Sequence, residues 1–165
     1  MPLKKWSDAG QNIVEKLISH PLFVMADEIY CYVDCKGEVY TSDIFITAWK
    51  MGKKTAAPRI ENGKMEFYYI ERFGDLDLGT YGIPEPITTE KANGKNVLVI
   101  MPGIAFDANK NRIGFGKGFY DKYLEKHLDY RRIGLAFSLQ MVENIPADAH
   151  DIRPEVIITE EQIYE

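Results

Sequence analysis

Apolar and polar residues recur along this chain with two different periods, and each change of period marks a new element. Ile13, Val14, Leu17 and Ile18 form one stripe at helical spacing, with Ser7 or Asp8 suited to cap its start and His20-Pro21 to end it. Residues 28–34, E-I-Y-C-Y-V-D, are β-branched and aromatic enough for a strand, and Lys36-Gly37-Glu38 then makes a turn. A second helix is predicted over Ser42 to Met51, with Ile44, Phe45 and Ala48 inward and Gly52 just past its end. A strand through 54–57 follows, closed by Pro58, and 65–70 alternates behind an Asn62-Gly63 turn as its hairpin partner at a sheet edge.

Residues 76–88 carry two prolines and two glycines and read as an irregular surface loop. Val97 to Met101 is a continuous apolar run that enters a Pro102-Gly103 turn, the pattern of a buried strand. After Gly118, apolar residues at 120, 124 and 128 predict a helix, and 132–137 and 155–159 predict two more strands. Strands alternating with helices imply an α/β fold, a single-domain open and mostly parallel sheet with helices on both faces. At 165 residues, with 45% hydrophobic content and no internal repeat or linker, the chain needs no second domain.

Charge narrows the partners. A net charge of −5 and a pI near 5.3 argue against general binding to nucleic acid or to acidic membranes, which require extended positive surface. No apolar run approaches a membrane span and the N-terminus has no signal-like centre, so the expected location is the cytoplasm. Cys31 and Cys35 lack the further ligands of a metal site and read as reduced structural thiols.

The stretch Arg112 to Asp121, R-I-G-F-G-K-G-F-Y-D, carries the candidate chemistry. Glycines at 114, 116 and 118 let successive backbone N–H groups converge on one point, which suits a phosphate, and the following helix would add its N-terminal dipole. Arg112 and Lys117 supply full positive charge, and Asp121 could hold a divalent cation that bridges phosphate oxygens. A nucleoside triphosphate with Mg²⁺ fits this chemistry. The loop matches neither the P-loop nor the dinucleotide-binding glycine pattern, and glycine clusters also make ordinary turns.

The runs P-G-I-A-F-D (102–107) and N-R-I-G-F-G-K-G-F-Y-D (111–121) resemble the signature of 5-formyltetrahydrofolate cyclo-ligases, also called 5,10-methenyltetrahydrofolate synthetases. G-I-P-E-P (82–86), Y-V-D-C-K-G-E-V (32–39) and A-H-D (149–151) extend the resemblance over most of the chain from about Ile13 onward. It implies an architecture like that of sugar-phosphate isomerases and CoA-transferases. It also implies ATP-dependent closure of 5-formyltetrahydrofolate, with or without a polyglutamate tail, to 5,10-methenyltetrahydrofolate by a monomer.

Carried onto this sequence, the resemblance puts ATP on Arg112, Ile113, Gly114, Phe115, Gly116, Lys117, Gly118, Phe119 and Tyr120, of which Arg112, Lys117 and Tyr120 would be catalytic. It puts Mg²⁺ on Asp121 and Asp151, and the folate on Val33 and Glu38 together with the loop residues 115–119. Glu85 would shape a loop near the pocket. Position 119 is a phenylalanine where the family usually has tyrosine, so Tyr120 supplies the hydroxyl there. The family usually begins with a further helix carrying a K-x-x-L-R motif. Against that pattern the expectation is that the given sequence lacks this helix, with Lys4 and Lys5 as the nearest charges, and the expected consequence is weak ATP affinity, or a start placed too late, unless those lysines fill the gap. A nucleotide- or folate-binding regulator that has lost turnover is the competing expectation, and fold alone does not separate the two.

Overall fold

The computed structural model describes residues 2–35 and 37–165, with Thr80 by its backbone alone; Lys36 of the predicted turn lies outside the described residues. Helix α1 (Leu3–Ser19) and the short helix α2 (Pro21–Met25) lead into strand β1 (Glu28–Cys31). Helix α3 (Ser42–Lys50), the hairpin of β2 (Lys54–Glu61) and β3 (Lys64–Ile70), and the small pair β4 (Leu76–Leu78) and β5 (Pro84–Pro86) follow. Then come β6 (Val97–Met101), the two-residue strands β7 (Ala105–Phe106) and β8 (Arg112–Ile113), and helix α4 (Phe119–Glu125). The chain ends in β9 (Arg131–Leu135), β10 (Val156–Ile158) and β11 (Ile163–Tyr164).

The main sheet has seven strands in the order β11-β10-β9-β6-β1-β2-β3. The five inner strands are parallel, and β11 and β3 close the edges antiparallel. Alternation along each strand sorts the apolar residues into two layers. Ile29, Cys31, Leu98, Ile100, Ile133, Leu135 and Val156 share one core with Ile13 and Leu17 of α1, Phe23 of α2 and Ile44 and Phe45 of α3. Tyr30, Val97, Val99 and Met101 face the opposite core, built with Phe67 and with Tyr120, Tyr123 and Leu124 of α4. The β7–β8 hairpin lies on this second face, where Phe106 packs on Ala136 and Ile157. Gly134 makes room for that ring, since a Cβ there would stand 2.9 Å from it. The parallel sheet with helices on both faces is thus present as expected.

Several boundaries differ from the sequence reading, each for a tertiary reason. Helix α1 starts at Leu3, not at Ser7 or Asp8, because Trp6 packs edge-on against Phe137 with ring centroids 4.5 Å apart. Helix α2 was not expected; Pro21 opens it, His20 Nδ1 accepts the Leu22 N–H, and fully buried Phe23 anchors it. Strand β2 passes through Pro58 to Glu61 because β1 pairs with it only as far as Ala56, so the missing Pro58 N–H faces no strand on that side. The region 76–88 is not wholly irregular, since β4 and β5 pair within it. Helix α4 stops at Glu125, and Leu128, expected on its buried face, is 69% exposed.

Asp107 ties the second face together. Its carboxylate is fully buried; Oδ1 accepts the Asn111 N–H at 2.9 Å, and Oδ2 accepts the Asn111 side-chain amide at 3.0 Å and the Ile145 N–H at 2.9 Å. Burial opposes its charge, but these hydrogen bonds outweigh that and hold its carboxyl below the usual range. A carboxyl with a depressed folded-state pKa stabilises fully above its unfolded value and loses that contribution as the pH falls through the folded value. Asp107→Asn turns an amide donor toward donors, and we expect a loss of about 2–4 kcal/mol in urea unfolding at pH 7. The difference from wild type should shrink below about pH 4. Equal stability of the two proteins at pH 7 would contradict the clamp.

Candidate active site

A cavity of about 590 Å³ opens past the carboxyl end of β1. Tyr32 and Val33, the first residues after the strand, line one side. The part of the β2–β3 hairpin that overhangs β1 contributes Pro58, Ile60 and Met65. Tyr81 and Ile83 cover it from the segment between β4 and β5, and Phe115, Phe119 and Tyr120 close it from the glycine loop. Besides the tyrosine hydroxyls, Cys35, Glu38, Glu85 and Lys117 bring polar groups into this mostly apolar lining.

The loop after β1 is held by its own polar residues. Asp34 Oδ1 accepts both the backbone N–H and the hydroxyl of Thr41, at 2.9 and 3.0 Å, and Thr41 is buried. Within that clamp the Cys35 N–H donates to Glu38 Oε1 at 2.8 Å, and the Tyr32 hydroxyl donates to the Val39 carbonyl at 3.2 Å. Burial pushes the Glu38 carboxyl upward, the hydrogen bond from the Cys35 N–H pulls it back, and the Asp34 charge adds to the rise; the net direction is up. Glu85 is fixed differently: its Oε2 accepts the Ile60 N–H at 3.0 Å, on the edge of β2 that β1 leaves unpaired.

The glycine loop joins β8 to α4. Gly116 and Gly118 have φ of +88° and +65°, which favour glycine, and Gly118 sits at the N-cap of α4. The N–H groups of Gly116, Lys117 and Gly118 donate to no acceptor among the described residues. Helix α4 has only seven residues, so these amides and the exposed Lys117 contribute more to attracting an anion than the helix dipole does. Arg112 lies beneath the loop: one guanidinium nitrogen donates to the Pro102 carbonyl at 3.0 Å, and the group sits 5.5 Å from the centre of the Tyr120 ring. Burial works against its charge, while Asp121, Tyr120 and Asp151 favour it, and the net direction is downward. Tyr120 is buried and its hydroxyl is held well above its usual pKa, chiefly by burial, so it remains an O–H donor.

Asp121 and the segment around Asp151 meet although they are far apart in sequence. Asp121 Oδ1 accepts the Ile152 N–H at 3.0 Å, and Asp151 Oδ2 accepts the Asp148 N–H at 3.0 Å. Each carboxylate keeps a second oxygen for another ligand. Among the described residues no group of three or more His, Cys, Asp or Glu side chains could hold a metal ion, so a cation here needs oxygens from a bound molecule. Two carboxylates completed by phosphate and water suit Mg²⁺.

The family model described as the 5-formyltetrahydrofolate cyclo-ligase family matches residues 1–160. The chain belongs to that family. It is 27% identical over 170 residues to the Escherichia coli K12 5-formyltetrahydrofolate cyclo-ligase, covering 96% of this chain and 91% of that protein. The Haemophilus influenzae cyclo-ligase is 30% identical over 156 residues, covering 87% of this chain and 81% of that protein. The solved structure of Aquifex aeolicus 5,10-methenyltetrahydrofolate synthetase superposes with a TM-score of 0.86 at 32% identity, over 99% of this chain and 84% of that one. The Mycoplasma pneumoniae 5,10-methenyltetrahydrofolate synthetase shares the fold, with a TM-score of 0.77 at 22% identity over 97% and 90% of the two chains.

Against that family's signature, the structure brings Val33, Glu38, Phe115, Lys117, Phe119 and Tyr120 to one cavity. Gly114, Gly116 and Gly118 lie in the loop beside it, whereas Asp121 and Asp151 do not line it: Asp121 stands in the first turn of α4 against the Ile152 N–H, and Asp151 borders a separate cavity with Asn109, Asn111 and Arg132. Ile113 does not join them; it is 43% exposed on β8, and its carbonyl accepts the Ile104 N–H at 2.8 Å. Lys4 and Lys5 sit in the exposed first turn of α1. Sequence reasoning missed Tyr81, which lines the cavity with φ of +62° and 64% exposure, and it assigned Cys35 to structure alone although its thiol borders the same space. The only signal for Tyr81 was its place one residue before G-I-P-E-P. No helix among the described residues is long and apolar enough to cross a membrane.

Gly116→Ala tests the cradle cleanly, because a Cβ there would meet nothing within 4 Å and the substitution acts through backbone conformation alone. A left-handed residue with a side chain costs about 1–2 kcal/mol, so ATP affinity measured by calorimetry should fall about 5- to 30-fold. Unchanged ATP affinity would show that the loop does not need this conformation.

Proposed function

We propose that this chain is an ATP-dependent 5-formyltetrahydrofolate cyclo-ligase that forms 5,10-methenyltetrahydrofolate, ADP and phosphate. The observation that carries this reading is that Lys117 belongs both to the glycine loop and to the lining of the apolar cavity that contains Glu38. A phosphate on the loop and a folate in the cavity would then share one boundary.

The formyl group on N5 is an amide, and its oxygen is a poor leaving group until it is phosphorylated. The formyl oxygen attacks the γ-phosphorus and ADP departs. N10 adds to the activated carbon and loses its proton, and inorganic phosphate leaves with the former formyl oxygen. No protein nucleophile is required; positioning and charge neutralisation carry the catalysis. The Glu38 carboxylate accepts N–H donors of the pterin ring, which orients the formyl oxygen toward the loop. Val33, Pro58, Ile60 and Met65 pack against the ring system, and Tyr81 and Phe115 at the rim exclude water. The loop amides, Lys117 and Arg112 stabilise charge on the transferred phosphoryl group, and the Tyr120 hydroxyl donates within the same cavity. Asp121 and Asp151 would hold Mg²⁺, which supplies charge neutralisation on the phosphate oxygens when bound.

The decisive measurement is the absorbance of the methenyl product formed from 5-formyltetrahydrofolate with and without ATP. Product only with ATP is expected, whereas binding of both ligands without product would identify a regulator that has lost turnover. Lys117→Ala should lower kcat/KM about 30- to 1000-fold, corresponding to roughly 2–4 kcal/mol of transition-state stabilisation. Near-normal turnover in that variant would remove Lys117 from the reaction.

A further inference from the structure

Pro58 interrupts a hydrogen-bond ladder at the wall of the cavity. The register of β1 on β2 runs from Glu28 with Lys54 to Tyr30 with Ala56, and the Lys54 N–H donates to the Asp27 carbonyl at 3.2 Å. Both main-chain groups of one strand residue point to the same side, so that bond fixes which β2 residues face β1: Lys54, Ala56, Pro58 and Ile60. The opposite edge agrees. Phe67, which stands across the hairpin from Pro58, gives its carbonyl to the Ala92 N–H at 2.8 Å on the far side of β3. The Ile60 N–H, further along the β1 side, goes to Glu85 Oε2 at 3.0 Å.

Beyond Ala56 the parallel pattern calls for an N–H of residue 58 on the Cys31 carbonyl, and then for the Val33 N–H on the Pro58 carbonyl. Proline has no N–H, so the first of these bonds cannot form. The second does not form either: among the described residues the Val33 N–H donates to no acceptor and the Pro58 carbonyl receives no donor. Val33 and Pro58 are both half-buried and both line the cavity of about 590 Å³. One main-chain donor and one main-chain acceptor therefore stand open at its wall.

We propose that this open rung is the main-chain part of the substrate site and that Pro58 determines it: the Pro58 carbonyl accepts an N–H of the pterin ring, the Val33 N–H donates to the pterin carbonyl oxygen, and the ligand takes the place of a strand. The proposal rests on the reading of the cavity as the folate site.

Main-chain groups left unpaired in a half-buried wall lose hydration without gaining a partner, and a ligand that supplies the partner recovers the loss. The pyrimidinone half of a pterin suits the rung because it carries a ring N–H beside a C=O, as a peptide group does. Glu85 sharpens the selection. By taking the Ile60 N–H it removes the next donor on this edge, so the wall past Val33 offers acceptors to a ring rich in N–H groups. A ligand with an oxygen in place of the ring N–H would meet the lone pairs of the Pro58 carbonyl and be rejected. Any residue other than proline at position 58 would let β1 and β2 close the rung on themselves.

Amide exchange in the ¹⁵N-labelled protein reads the rung directly. In the free wild type the Val33 amide should exchange fast, and saturating 5-formyltetrahydrofolate should slow it at least about tenfold. Pro58→Ala supplies the missing N–H. Its Val33 amide should be slowed at least about tenfold without ligand, and its Kd for 5-formyltetrahydrofolate by calorimetry should rise about 10- to 100-fold, with that for ATP within about twofold. A wall that is merely disturbed would bind folate weakly with Val33 still exchanging fast, and that result counts against the proposal. A Val33 amide already protected in the free wild type, or folate binding of wild-type strength in Pro58→Ala with Val33 protected, would overturn it. The wild-type arm decides by itself should the variant not fold. If 5-formyltetrahydrofolate binds and leaves Val33 exchanging fast, the rung is refuted and the cavity remains the folate site; if it does not bind at all, the reading of the cavity fails and the rung with it.

Discussion

β1 ends at Cys31 while its neighbour β2 continues to Glu61, and the cavity exists because of that difference in length. Parallel pairing stops at Ala56, so the remainder of β2 and its hairpin partner β3 stand beyond the sheet as a wall with an unpaired edge. A free strand edge inside a folded domain needs acceptors for its N–H groups. Glu85 supplies one for Ile60, and Arg59 reaches the Pro86 and Thr88 carbonyls at 2.9 and 2.7 Å, which brings the β4–β5 segment and its Tyr81 over the opening. The segment covering the site is thereby fastened through the same unpaired edge that creates the site.

On the other side of the cavity, order is imposed by buried polar groups. Asp107 ties the β7–β8 connection to Ile145, and Arg112 ties β8 back to the Pro102 carbonyl at the end of β6. Between these anchors and the start of α4, the glycine loop can take positive φ at two positions without loosening the elements around it. Arg112 then lies among Tyr120, Asp121 and Asp151, so one half-buried cation and two carboxylates are assembled in advance. This arrangement reconciles an acidic protein with anionic substrates, because positive charge is concentrated at Arg112 and Lys117 around one loop although the chain carries a net charge of −5.

The parallel sheet, its main alternation of strands and helices and the glycine loop were legible in the sequence because each is local. Continuous apolar runs such as Val97 to Met101 report a strand buried on both faces, and glycines at alternate positions report a backbone that must turn toward a ligand. The resemblance to cyclo-ligases was carried by the same contiguous runs, and the family match bears it out. Features with long-range causes were not legible. The early start of α1 depends on Phe137, the passage of β2 through Pro58 depends on where β1 stops, and the antiparallel edge β11 depends on β10 lying beside it.

By itself, the sequence determined most of the buried stripes, such as Ile13 and Leu17 or Val97 to Met101, and which loop could receive a phosphate, since spacing and side-chain type decide those locally. Tertiary structure alone decided that Asp121 would meet the chain at Ile152 and that Tyr81 would cover the cavity. Those outcomes depend on where strands end and which edges remain unpaired. No window of the sequence contains both partners of such a contact.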